Sequence, residues 1–147
     1  MDLLRKGLVG VTVVGLAIDA YIHIKLSGDL EGVRATVSEA DLFRIEAVMA
    51  IVAAVLLLVR PNRLTAALAA LVAGGGTFAL LLYYFVDVGA IGPIPNMHEP
   101  VMYSDKVITL VAQTVATVTA LALVVLGWPR EGQSAGQVNE RQSANVL

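Results

Sequence analysis

LTAALAALVAGGGTFALLLYYFV, residues 64–86, runs for 23 residues without a charged side chain. A helix rising 1.5 Å per residue would carry this run across about 35 Å, enough to cross the ~30 Å hydrocarbon core of a bilayer. Three further stretches are nearly as poor in charge: Gly7–Leu26, Leu42–Val59 and Val107–Trp128. Four such runs in 147 residues leave little chain for a soluble core. Charged residues make up 15% of the sequence, against roughly 25% in an ordinary soluble domain. The expected fold is an all-α membrane protein, an antiparallel bundle of four transmembrane helices at about 3–26, 40–60, 63–86 and 105–128. These form one membrane domain over 1–130, with a disordered cytoplasmic tail over 131–147, where Gly, Gln, Ser and Asn dominate.

The first run follows Arg5 and Lys6 as a secretory signal would, but Tyr21-Ile22-His23-Ile24-Lys25-Leu26 stands where a small-residue cleavage site belongs. It reads as a retained helix. The chain has no cysteine, which excludes disulfides, thiolate metal sites, iron–sulfur clusters and cysteine nucleophiles. It also lacks a Walker loop, a GxSxG elbow and a basic patch, so nucleic acid is not an expected partner.

Charge distribution predicts orientation. One face of the bundle would carry Arg5, Lys6, Arg60, Arg63, Arg130 and Arg141 against Asp2, Glu131 and Glu140. The other would carry Lys25, Arg34, Arg44 and Lys106 against Asp19, Asp29, Glu31, Glu39, Asp41, Glu46, Asp87, Glu99 and Asp105. Basic residues concentrate in short loops retained in the cytoplasm. Both termini are therefore expected inside the plasma membrane, with the two longer loops outside and Trp128 anchoring the inner interface.

Local signals fix the element ends. Ser27-Gly28 stops the first helix, and Ser38 with Asp41 forms a capping-box pattern for the second. Pro61-Asn62 makes a tight turn into the third helix, and Ser104-Asp105 opens the fourth. Gly74-Gly75-Gly76 reads as a notch for close helix approach, with a substrate passage as the alternative. Thr109, Gln113 and Thr117, spaced i, i+4, are expected to face the bundle and hydrogen-bond across it. Between helices three and four, Gly89, Gly92, Pro93, Pro95 and Pro100 forbid a regular helix and suggest a rigid cap over the outer mouth, with Asp87 and Glu99 capping backbone amides.

An ionisable group inside a membrane segment costs about 2.5–3.5 kcal/mol at mid-helix and normally faces protein or water. Asp19 and Glu46 are such groups, and His23 shares a helix face with Asp19 at i+4. The topology gathers them at the outer end with Asp87, His98, Glu99 and Lys106. Three readings follow. His23, Glu46 and His98 form a metal site of imidazole and carboxylate ligands; or the same cluster binds a quinone head or relays protons; or Glu46 pairs with Arg44, Lys25 or Lys106, Asp19 bonds His23 or Tyr84, and the cluster only sets helix register. Two histidines fall short of the four axial ligands of a di-haem bundle.

The segment Tyr84-Phe85-Val86-Asp87-Val88-Gly89-Ala90-Ile91-Gly92-Pro93-Ile94-Pro95-Asn96-Met97-His98-Glu99-Pro100, followed by Asp105-Lys106, resembles a YVDVGxxGPLPxMxEP-like loop of small four-helix integral membrane proteins of actinobacteria. That resemblance implies fold and compartment, with His23 matching a helix-one histidine, but no activity. In helix count the chain is also similar to DoxX-like proteins, which are linked to quinol-oxidising respiratory chains. The expected function is a non-enzymatic accessory or interaction subunit of a respiratory or cell-envelope membrane complex. Its partners would be the lipid bilayer and other membrane subunits or copies of itself. The alternative is a metal- or quinone-binding membrane protein; the sequence requires no cofactor and assigns no catalytic residue.

Overall fold

The computed structural model describes residues 1–128, so the expected tail over 131–147 lies outside the described residues. Four helices follow in order: α1 (Leu3–Ser27), α2 (Glu39–Val59), α3 (Arg63–Phe85) and α4 (Ser104–Leu126). All four are long and apolar enough to cross a membrane. Around the bundle the order is α2, α1, α4, α3, with α1 and α3 on the diagonal. Of the adjacent pairs, α2 and α3 pack least closely.

Each start has a chemical cause. Asp2 accepts a hydrogen bond from the Arg5 amide at 2.8 Å, filling one of the donors that the first turn leaves open. Ser38 and Asp41 form the expected capping box, with the Asp41 amide donating to Ser38 Oγ at 3.0 Å. Asn62 takes the Leu64 and Thr65 amides at 2.8 and 3.1 Å, while Thr65 Oγ1 accepts from the Asn62 amide at 3.1 Å. Helix α4 has Tyr103 at its cap and no side-chain cap bond. It is held instead at its other end, where Arg5 Nε donates to Gly127 O at 2.9 Å and Arg63 Nε to Val124 O at 3.0 Å. Guanidinium groups are well suited to terminal carbonyls at the negative end of the helix dipole.

The interior is built from small residues. Ala47, Ala50, Ala53, Ala66, Ala69, Ala73, Ala116 and Ala120 are buried, joined by Leu16, Leu57 and Leu123. Long side chains such as Leu71, Phe78 and Val125 point outward, 73%, 68% and 79% exposed. That is the distribution a membrane bundle needs, because lipid solvates Leu as well as a core does and close packing supplies the association. The closest approach is at Gly15. A Cβ there would lie 2.8 Å from Ala112 O and 2.9 Å from Ala116 Cβ, so α1 and α4 meet backbone to backbone.

The long loops sit together at one end of the bundle, called here the long-loop end; the α2–α3 turn and the Arg5 and Arg63 contacts mark the short-turn end. At the long-loop end, the Val37 amide donates to Pro93 O at 3.0 Å and the Glu99 amide to Tyr83 O at 3.2 Å. Positive φ at Gly89 and Gly92, 67° and 56°, lets the 86–103 loop turn tightly enough to fold back across the helix ends.

Candidate functional site

Two buried polar side chains and a half-buried histidine meet between α1 and α4. Gln113 Nε2 on α4 donates to Asp19 Oδ1 on α1 at 2.8 Å. His23, one turn further along α1, places Nδ1 2.9 Å from both Asp19 Oδ1 and the Asp19 carbonyl. Asp19 is fully buried and Gln113 is 1% exposed. Both neighbours of His23 Nδ1 only accept, so that nitrogen carries the proton and Nε2 is the ring's remaining polar atom. The same logic orients Gln113: its amide nitrogen faces the carboxylate, which leaves Oε1 on the other side.

Not every polar atom of this cluster is used. Asp19 Oδ2, Gln113 Oε1 and Glu46 Oε1 are all buried without a hydrogen bond. Glu46 reaches in from α2, and the glycine notch explains how it fits. A Cβ at Gly76 would lie 2.9 Å from Glu46 Oε1 and 2.9 Å from Gln113 Cδ, so only a glycine on α3 admits both side chains. Gly74 meets Thr117 Cγ2 at 3.4 Å, while a Cβ at Gly75 would touch nothing within 4 Å. The run is therefore a packing notch at two positions, while Gly75 is exposed on the outer face between Leu71 and Phe78.

A cavity of about 400 Å³ is wedged between the helices at the long-loop end. His23 on α1, Glu39, Phe43 and Glu46 on α2, Gly75, Gly76, Ala79, Tyr83 and Tyr84 on α3, and Tyr103, Lys106 and Gln113 on α4 line it. Ile94, Met97 and Glu99 of the 86–103 loop close over its mouth. Lys106 and Gln113 are seven residues apart on one helix, so the cavity runs roughly 10 Å from mouth to floor. At the mouth Lys106 Nζ donates to Glu99 O at 2.9 Å and to Glu99 Oε2 at 3.1 Å, and stands 5.0 and 5.9 Å from the Tyr103 and Tyr84 ring centroids. Burial, reinforced by the charges of Glu99, Glu39 and Asp105, pushes the Tyr103 hydroxyl up to about 12.

Several expected contacts fall elsewhere. Glu46 pairs with none of the three cations proposed for it. Arg44 binds Glu31 and Asp41, Lys25 binds Asp105 at 2.9 Å, and Lys106 is held by Glu99. Direction and depth explain the difference: Arg44 leaves α2 on another face, toward Glu31, while Lys25 and Lys106 stand nearer the long-loop end than Glu46, which is about 10 Å inside α2. Tyr84 is likewise not the partner of Asp19. The metal set His23, Glu46 and His98 is not assembled: His98 turns its Nδ1 to Tyr83 O at 2.8 Å, outside the cavity lining. Among the described residues no three His, Asp or Glu side chains converge to hold a metal ion. Asp87 caps the Gly89 amide at 3.1 Å as expected and also accepts from Asn96 at 2.9 Å, but it too lies outside the cavity. Glu99 takes no amide; its carboxylate goes to Lys106. Of the Thr109, Gln113 and Thr117 row, Gln113 crosses the bundle, whereas Thr117 Oγ1 bonds back to Gln113 O at 2.7 Å. Thr119, outside the row, meets Thr12 on α1 at 2.7 Å.

Comparison with protein-family models, with curated proteins and with solved structures finds no match.

Proposed function

We propose that this protein binds a small amphiphilic molecule in the cavity at the long-loop end of the bundle. The observation that carries the reading is an apolar-walled cavity of about 400 Å³ lined at its deep end by Glu46 and Gln113, each with one oxygen that has no hydrogen bond. Leaving a buried polar atom unsatisfied costs about 1–3 kcal/mol, and polar side chains beside a cavity give a ligand or water groups to bind. Concave, mostly apolar sites with a few converging polar groups are the usual form of a small-molecule pocket. A quinone head, one of the alternatives that the sequence left open, belongs to the broad class of amphiphiles.

The charge asymmetry supports placing the protein in the plasma membrane with both termini cytoplasmic, so that the cavity opens toward the outside. The resemblance of the 84–100 segment to the actinobacterial four-helix proteins is compatible with that compartment, and no step of the binding argument depends on it.

Binding is tested with a panel of amphiphiles against the purified protein in nanodiscs, read by thermal shift. Ala79→Phe is the matched control, because Ala79 is half-buried and lines the cavity, where a larger side chain takes up its volume. The reading requires at least one class of ligand to stabilise the parent and not Ala79→Phe. Identical profiles for the two proteins would contradict it.

A second reading, an accessory subunit of a respiratory or cell-envelope complex, is favoured by a separate observation. The loop cap exposes apolar side chains beyond the helix ends, with Ile91 and Val101 53% and 59% exposed. Pull-down after gentle solubilisation should then recover a partner that Ile91→Glu with Val101→Glu releases; recovery of this chain alone from both would remove it.

A further inference from the structure

We infer that the ligand of this cavity is an organic cation, an ammonium group carried on an apolar body, with Glu46 as its counter-ion. The inference rests on the binding reading above and names the ligand's chemical class.

Unused hydrogen-bonding capacity gives the first argument. Glu46 and Gln113 line the cavity, and each holds one buried oxygen without a hydrogen bond. Both oxygens are acceptors. One amide N–H of Gln113 goes to Asp19, and the Nδ1 proton of His23 is turned the same way. A ligand that donates supplies Glu46 with the partner that it lacks in this chain, whereas a ligand that only accepts does not.

Charge gives the second argument. Asp19, Glu39, Glu46 and Glu99 stand in or against the cavity, with only His23 and Lys106 to offset them. Lys106 is taken by Glu99, and Arg44 and Lys25 are taken by acids at the rim. Glu39 and Glu99 stand at the mouth, so the acid that lies deep in the cavity without an ion pair is Glu46. Buried carboxylates are paired or protonated, and the bilayer strengthens that demand. A cationic ligand at this depth gives Glu46 the ion pair that it lacks.

The walls give the third. Phe43, Tyr83, Tyr84 and Tyr103 surround the space, and the mouth tyrosines already hold one cation, the Lys106 ammonium, within 5.0 and 5.9 Å of their ring centroids. Aromatic faces attract ammonium groups most strongly where water is excluded. From the Lys106 level to the Gln113 level the cavity is roughly 10 Å deep, which suits an aryl group and a short alkyl chain.

The test uses three probes that share one body and differ in the head: 4-phenylbutylamine, 4-phenylbutanol and 4-phenylbutyrate, titrated calorimetrically into the protein in nanodiscs of zwitterionic lipid. Empty nanodiscs give the partitioning baseline. The inference predicts that the amine binds at least tenfold more tightly than the alcohol and that the acid does not bind. In Glu46→Gln the amine's advantage over the alcohol should fall at least tenfold. Glu46 Oε1 has no partner to lose, and melting of the variant by circular dichroism checks its fold. Should Glu46→Gln not fold, the parent series alone decides. Equal or tighter binding of the alcohol or the acid overturns the cation assignment and leaves the binding reading standing. If no probe binds and the amphiphile panel also shows no difference between parent and Ala79→Phe, the binding reading itself fails.

Discussion

The most informative single residues here are those whose environment can be altered by one group. Asp19 accepts from Gln113 and from His23 while fully buried. Asp19→Leu keeps the branched shape but strands the Gln113 amide and places methyl groups where oxygens were, and should lower stability by about 1–3 kcal/mol, measured by denaturant titration in mixed micelles. A change below the ~0.6 kcal/mol of an ordinary interhelical hydrogen bond would mean that the contact is not formed. Gly15 offers a steric counterpart. Gly15→Ala drives a methyl group against Ala112 O and Ala116 Cβ and should cost about 1–3 kcal/mol, whereas Gly10→Ala, with nothing within 4 Å, should be neutral or stabilising. Equal melting temperatures for the two variants would contradict the close crossing. Tyr103 tests the mouth. With its folded value pushed up to about 12 and an unperturbed phenol near 10, the unfolded chain loses this proton first as pH rises. Stability contributed by the neutral hydroxyl is then present below pH ~10 and is lost between about 10 and 12. Tyr103→Phe should flatten that decline in thermal melts; an unchanged decline would place the phenol in water.

At the scale of the element, most of the architecture was legible because helix ends announce themselves chemically. Ser38 with Asp41 and Pro61-Asn62 predicted starts that the capping bonds confirm, and each observed helix lies within a residue or two of the expected range. Asn62→Ala should lower stability by about 1 kcal/mol, read by denaturant titration, since it strips two amides of the acceptor that starts α3. No loss would mean that α3 begins elsewhere. What the sequence did not disclose was pairing. Glu46 lies near Arg44 along the chain, yet the two side chains leave the helix in different directions, one into the bundle and one toward Glu31. The two histidines converge on the same end of the bundle, but the 86–103 loop turns His98 to a backbone carbonyl. Gln113 was readable as a bundle-facing residue from its i, i+4 row. Its specific partner required the rotation of α1 against α4, which is set by the Gly15 crossing and leaves no local signal beyond one glycine in an apolar run.

For the whole molecule, the account is one of unequal packing. Small residues bring α1, α2 and α4 close through most of their length, while α2 and α3 part at the long-loop end and leave a cavity whose floor is polar. The 86–103 loop covers that opening with Ile94, Met97 and Glu99, a cap the proline and glycine spacing had suggested. The candidate site was thus half legible: its residue types and its end of the bundle came from the sequence, but the open volume and the unpaired acceptors emerge only from three-dimensional packing. Cysteine labelling addresses this central claim most directly, because the natural chain contains no cysteine and every single-cysteine variant reports one position. Ala79 lines the cavity, while its neighbour Phe78 is 68% exposed on the apolar outer face. In membranes, Ala79→Cys should react with a charged, water-borne thiosulfonate, faster with the cationic reagent than with the anionic one, and Phe78→Cys should stay inert. An Ala79→Cys as unreactive as Phe78→Cys would mean that no polar cavity opens between these helices.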